Sequence, residues 1–172
     1  MVILVTGEKG VGKSTICRKT IRIIQQEGFN CGGVLTFKSV GEDITIEDIQ
    51  SGETRPFASV ADHGSGGPST PRYFFRPDGL DFGLQAIMGA AAADVVWIDE
   101  MGPLELRGEG FAPALELVKS GKVKKSVLVV RRELLFYYLP QLPATSQIFE
   151  VTVETRDDLP QQIAEFLLER LR

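Results

Sequence analysis

The chain has 172 residues, 43% of them hydrophobic, and a formal net charge of −4 from 19 Lys and Arg against 23 Asp and Glu. A chain of this length suits one domain, expected over residues 1–172, that buries about two-thirds of its unfolded surface. Scattered basic residues exclude the cationic face of a nucleic-acid binder, and no apolar run approaches the roughly eighteen residues that span a bilayer, so neither nucleic acid nor membrane is expected as a partner.

Met1 leads into the apolar run Val2–Val5 without a basic leader, which points to a cytoplasmic protein. That run reads as a buried strand, and after it Gly7-Glu8-Lys9-Gly10-Val11-Gly12-Lys13-Ser14 matches G-x-x-x-x-G-K-[ST] without a gap. Glycines at this spacing let the backbone curl so that its N–H groups face a polyphosphate. Lys13 adds charge toward the β- and γ-phosphates, and the Ser14 hydroxyl suits Mg²⁺. An amphipathic helix should follow, with Ile16, Thr20, Ile23 and Ile24 on one face and Gly28 just past its end.

Cys31–Lys38 and Ile44–Ile49 read as a hairpin turning at Val40–Asp43, and Thr54–Val60 as a returning strand. Ala61–Pro71 holds Gly64, Gly66, Gly67, Pro68 and Pro71 and reads as a mobile loop. Its His63, the single histidine, invites a catalytic role, but with no carboxylate or cysteine constellation around it an inert loop histidine is expected. Tyr73-Phe74-Phe75, flanked by Arg72 and Arg76, suits core packing better than base stacking. Cys17 and Cys31 form no C-x-x-C and have no nearby histidine, so packed, reduced thiols are expected.

Leu80–Ala92 has helical character, with Ala90–Ala93 as its end, and Val95–Ile98 is an apolar strand closing on Asp99-Glu100. An acidic pair at the end of such a strand, in a chain that carries a phosphate loop, is a Walker B pattern: Asp99 orients Mg²⁺ and Glu100 polarises an attacking water. Neither the N-K-x-D guanine signature nor L-S-G-G-Q is present. Gly110–Ser120 should be a helix with Pro113 in its first turn, and Ser126–Val130 a buried strand ending at Arg131-Arg132. Either arginine can reach a γ-phosphate from there, Arg131 being the expected catalytic one, and the alternative is an ordinary solvated pair. Ile148–Val153 is a last strand, and Leu159–Leu171 a closing helix capped by Asp157 or Asp158.

Strands alternating with helices imply an α/β fold of the P-loop NTPase kind: an open, largely parallel sheet with helices on both faces and an antiparallel hairpin added at one edge. With these residues in view, the chain resembles the THEP-type nucleoside triphosphatases over nearly its whole length. Asp99-Glu100-Met101-Gly102-Pro103-Leu104-Glu105-Leu106 is similar to that family's D-E-I-G-P-M-E-L segment. Thr152–Leu159 is similar to its T-x-E-N-R-D-x-L run, and Asp48–Glu53 to its D-L-x-T-G-E stretch. The resemblance implies Mg²⁺-dependent hydrolysis of several nucleoside triphosphates and base contacts at Thr155 and Arg156. The chain departs from the family at Met101, Leu104 and Thr155, and no G-x-R-x-G-F stretch is recognisable in Ser39–Ile46.

The site expected from sequence therefore comprises Gly7 to Ser14 and the adjoining Thr15 as cradle, Ser14 and Asp99 for Mg²⁺, and Lys13, Glu100 and Arg131 for catalysis. Two other functions fit the same cradle. One is a kinase with Arg72, Arg76 and Arg107 at an acceptor site, and the other is a slowly hydrolysing nucleotide switch.

Overall fold

The computed structural model describes residues 1–172, the side chain of Val40 excepted. Strand β1 (Val2–Gly7) is buried along its whole length, and β6 (Val95–Met101) and β7 (Ser126–Arg131) nearly so, as strands covered on both faces must be. With β2 (Cys31–Lys38), β3 (Ile44–Asp48), β4 (Thr54–Ser59), β5 (Phe74–Phe75) and β8 (Gln147–Val151) they make one sheet in the order β5-β4-β3-β2-β6-β7-β1-β8. The five strands from β2 to β8 in that order are parallel, while β2, β3, β4 and β5 pair antiparallel.

Alternation along each strand divides the core between the two faces. Ile3, Val5, Trp97, Val127 and Val129 point toward α1 (Lys13–Gln26) and α6 (Leu159–Leu168), which supply Ile16, Ile24, Ile163 and Leu167. Leu4, Val34, Val96, Ile98 and Leu128 point toward α2 (Pro77–Gly89) and α4 (Ala112–Lys119), which supply Ile87, Leu115 and Val118. Two one-turn helices, α3 (Pro103–Leu106) and α5 (Leu135–Tyr138), follow β6 and β7 at their carboxyl ends. Among the described residues no helix is long and apolar enough to cross a membrane.

The α/β fold with helices on both faces and an antiparallel edge is as expected, β4 being the returning strand and β5 one strand more. β4 and β5 extend the hairpin to an antiparallel run, because Phe57 and Ala58 have a buried face to offer against α2. Helix α1 stops where expected: Gly28 adopts φ 86°, its N–H reaches the Gln25 carbonyl at 3.0 Å and that of Phe29 the Ile24 carbonyl at 3.3 Å, a Schellman ending. Helix α2 starts earlier than expected, at Pro77, since a proline suits the first turn, and Ala90–Ala92 is a separate 3₁₀ turn. The expected side-chain cap on α6 is absent: Asp158 occupies the cap position in a helical conformation (φ −93°, ψ −25°) that keeps its carboxylate from the first-turn N–H groups. That helix also ends at Leu168, short of Leu171.

Candidate active site

Between β1 and α1 the loop turns through Gly7, Gly10 and Gly12, at φ 149°, 78° and 107°. A Cβ on Gly10 or Gly12 would touch nothing, so the backbone angle alone demands glycine there. At Gly7 space is lacking too, because the Val151 carbonyl of β8 lies against it. The turn directs the amino end of α1 into the cleft above the sheet, where helix N–H groups favour an anion. Lys13 arches back over the loop and donates to the carbonyls of Gly7 at 2.9 Å and Glu8 at 2.7 Å. Partial burial lowers its pKa, with the Glu100 and Asp99 carboxylates opposing that shift.

At the carboxyl end of β6, Asp99 is only 2% exposed and fully engaged. Its Oδ2 accepts from the Ser14 hydroxyl at 2.7 Å and, from β2, the Thr36 amide at 3.0 Å and hydroxyl at 3.1 Å. Its Oδ1 accepts from the Glu100 amide at 2.8 Å. Four donors fix one carboxylate and aim it at the loop.

Glu100 itself has φ 60°, a left-handed backbone rare outside glycine. Desolvation, then the neighbouring Asp99 charge, push its carboxyl up to about 7, against the pull of Arg131 and Lys13. Arg131, at the end of β7, brings Nη2 to 3.8 Å from Glu100 Oε2. The segment beyond is held by Glu105, whose buried carboxylate accepts from the Gly102 and Phe111 amides, each at 2.8 Å. Tyr138 donates to the Gly102 carbonyl at 2.6 Å.

Lys13, Ser14, Thr36, Asp99, Glu100 and Arg131 line a cleft of about 330 Å³. A family model described as NTPase matches residues 2–164. Nucleoside-triphosphatase THEP1 of Methanosarcina acetivorans is 34% identical, with 98% of each chain aligned. The chain belongs to the THEP1 nucleoside-triphosphatase family. The nucleoside-triphosphatase THEP1 of Hyperthermus butylicus, another relative, is 33% identical over 95% of this chain and 89% of its own. The fold matches that of THEP1 from Aquifex aeolicus, with a TM-score of 0.76 at 23% identity over 97% and 99% of the two chains. It also matches a human cancer-related nucleoside triphosphatase, with a TM-score of 0.72 at 20% identity over 97% of each.

Of the residues expected from sequence, Lys9, Gly10, Gly12, Lys13, Ser14, Thr15, Asp99, Glu100 and Arg131 line this family member's cleft. Gly7, Glu8 and Val11 lie outside that lining, the first two supplying carbonyls to Lys13. Arg132 turns away from it to Glu150 at 3.3 Å and Glu8 at 3.8 Å. Thr155 and Arg156 are exposed in the turn after β8, also outside the lining, and the Thr155 hydroxyl is spent on the Glu150 carbonyl at 3.0 Å and the Thr152 amide at 3.0 Å. His63 meets only the Ser59 hydroxyl, at 3.2 Å, and both cysteines are free and buried.

Thr36, Lys38 and Tyr73 line the cleft without having been singled out for it. Thr36 left one signal, a polar residue inside an otherwise buried strand. Tyr73 left none, since the loop before it carries no periodicity.

Proposed function

We propose that this chain hydrolyses nucleoside 5′-triphosphates, ATP and GTP among them, to the diphosphate and phosphate, with Mg²⁺ as cofactor. The observation that carries the reading is that the Lys13 ammonium, the Glu100 carboxyl and the Arg131 guanidinium converge on one cleft above a helix amino terminus.

On binding, loop amides take the phosphate oxygens and Lys13 exchanges the Gly7 and Glu8 carbonyls for the β- and γ-phosphates. Arg131 faces the charge that develops on the γ-phosphoryl oxygens. Glu100 orients a water for in-line attack. The water oxygen bonds to phosphorus, the bond to the β-phosphate breaks, and Glu100 takes the proton.

Ser14 and Asp99, with oxygens 2.7 Å apart, offer the hard donors that Mg²⁺ prefers, and the Thr36 amide and hydroxyl hold Asp99 in place. The ion, when bound, neutralises charge on the β- and γ-phosphates. Thr155 and Arg156 would contact the base only if their turn folds toward the nucleotide.

Phosphate release from ATP, GTP, CTP and UTP, each with and without Mg²⁺, tests this reading. Lys13→Ala should lose about 100-fold or more, and Glu100→Gln about 10²–10⁴-fold. Release that survives Glu100→Gln unchanged would sink the mechanism.

A further inference from the structure

Behind the phosphate cleft lies a second cavity of about 230 Å³, and Ile44, Tyr73, Glu100 and Arg131 line both. The two cavities are therefore the two sides of one wall, and the carboxyl group that activates the attacking oxygen stands in it. The far side is walled by Phe57, Phe75 and Leu104, with the Phe57 and Phe75 rings edge to face at 5.3 Å. A water occupies about 30 Å³ and needs two to four polar partners to be held. This space is several times larger and mostly carbon-lined, so a single attacking water does not account for it.

Tyr73 is 3% exposed, yet among the described residues its hydroxyl has no hydrogen-bond partner. The Arg72 guanidinium, 5.7 Å from the ring centroid, is close enough to the hydroxyl for Tyr73 to raise the arginine's pKa, but no hydrogen bond of ordinary geometry joins them. A buried, unpaired phenol costs free energy unless a ligand meets it.

We propose that this second cavity is an acceptor site, in which a small, neutral, single-ring aromatic alcohol receives the γ-phosphoryl group of the nucleotide in the first cleft. The inference rests on the nucleotide reading of that cleft. The alcohol oxygen bonds to the γ-phosphorus, the bond to the β-phosphate oxygen breaks, Glu100 takes the hydroxyl proton, and the products are a phosphate monoester and the nucleoside diphosphate. Hydrolysis is the same transfer with water in the acceptor's place.

Neutrality follows from the charges at the wall. Arg131 is paired with Glu100 and Arg72 with Glu42, while the Glu105 carboxylate also lines the cavity, so an anionic acceptor finds no unpaired cation there. Arg76 and Arg107, expected beside Arg72 at an acceptor site, instead pair with Asp78 and Glu109 outside the cavity. The aromatic rings select a flat ring. A volume below the usual 300–1,000 Å³ of drug-sized sites limits the acceptor to one ring.

The test uses the full chain with γ-labelled ATP, Mg²⁺ and either benzyl alcohol or 2-phenylethanol, with phosphate and phosphate ester separated and counted. Ester should appear at the expense of phosphate. Pro71→Trp, at the exposed rim of the second cavity and outside the first, should abolish ester while leaving phosphate release within about twofold. Ordinary phosphate release without ester, whether or not the alcohols bind, overturns the acceptor site and leaves the hydrolase reading standing. Ester without phosphate release supports the acceptor site and sinks hydrolysis, and the absence of both products overturns both.

Discussion

Glu100 concentrates the residue-scale physics of the site. Its left-handed backbone costs about 1–3 kcal/mol, a strain that persists only where surrounding structure holds it. Here the Asp99 side chain binds its amide and Arg131 faces its carboxyl. The raised pKa has two consequences. The base must be ionised to take a proton, so hydrolysis should climb with pH and level off above an inflection near 7, and the profile of Glu100→Gln should lose that inflection. Stability should move the other way. The folded value, about 7, exceeds the ordinary 4.5, so between them the folded state binds more protons than the unfolded chain. This group's contribution is fully present below about 4.5 and is lost as pH rises through about 7. The Tm of Glu100→Gln relative to wild type should therefore improve from about pH 5 to about pH 8, which thermal scans at the two pH values would read.

At the scale of elements, the segment after β6 shows how much of a site is built by hydrogen bonds invisible in a motif. Glu105 sits within the D-E-M-G-P-L-E-L run, but its function is to accept from Gly102 and from Phe111, closing the turn that carries Glu100. Glu105→Ala would leave two amides without their acceptor and should cost about 2–4 kcal/mol in urea unfolding, while Tyr138→Phe, losing one bond to Gly102, should cost about 1 kcal/mol. On the neighbouring strand Gly33 has φ 94°, and a Cβ there would run into the Trp97 carbonyl of β6. Gly33→Ala should destabilise by about 3 kcal/mol or more and disturb the β2 edge that presents Thr36 to Asp99. The glycine of the phosphate loop was legible because its motif names it. Gly33 was not, because its reason lies in a strand reached across the sheet.

For the whole molecule, one continuous sheet with a core on each face joins the amino-terminal strand to β7 and β8 near the other end of the chain. We propose that residues 1–172 fold as one unit. Trp97 is fully buried on a central strand, so its fluorescence reports the sheet's interior. Fluorescence and far-UV circular dichroism should follow one coincident transition in urea, and separated midpoints would show that the antiparallel edge melts on its own.

By itself the sequence determined what depends on local chemistry: the glycine spacing of the phosphate loop, the apolar strands, the glycine just past α1, and the acidic pair closing β6. Those features are set by backbone angles and side-chain periodicity within a few residues of one another, and the fold class followed from their alternation. Tertiary structure alone decided which arginine faces the cleft. Arg131 ends β7 and points to Glu100, whereas Arg132 opens the 3₁₀ turn that follows and points to Glu150. It also decided the contact between Thr36 and Asp99, the unpaired Tyr73 hydroxyl, and the cavity behind Glu100. Each arises where chain segments far apart in sequence meet, and such meetings depend on sheet order, which no short-range pattern encodes.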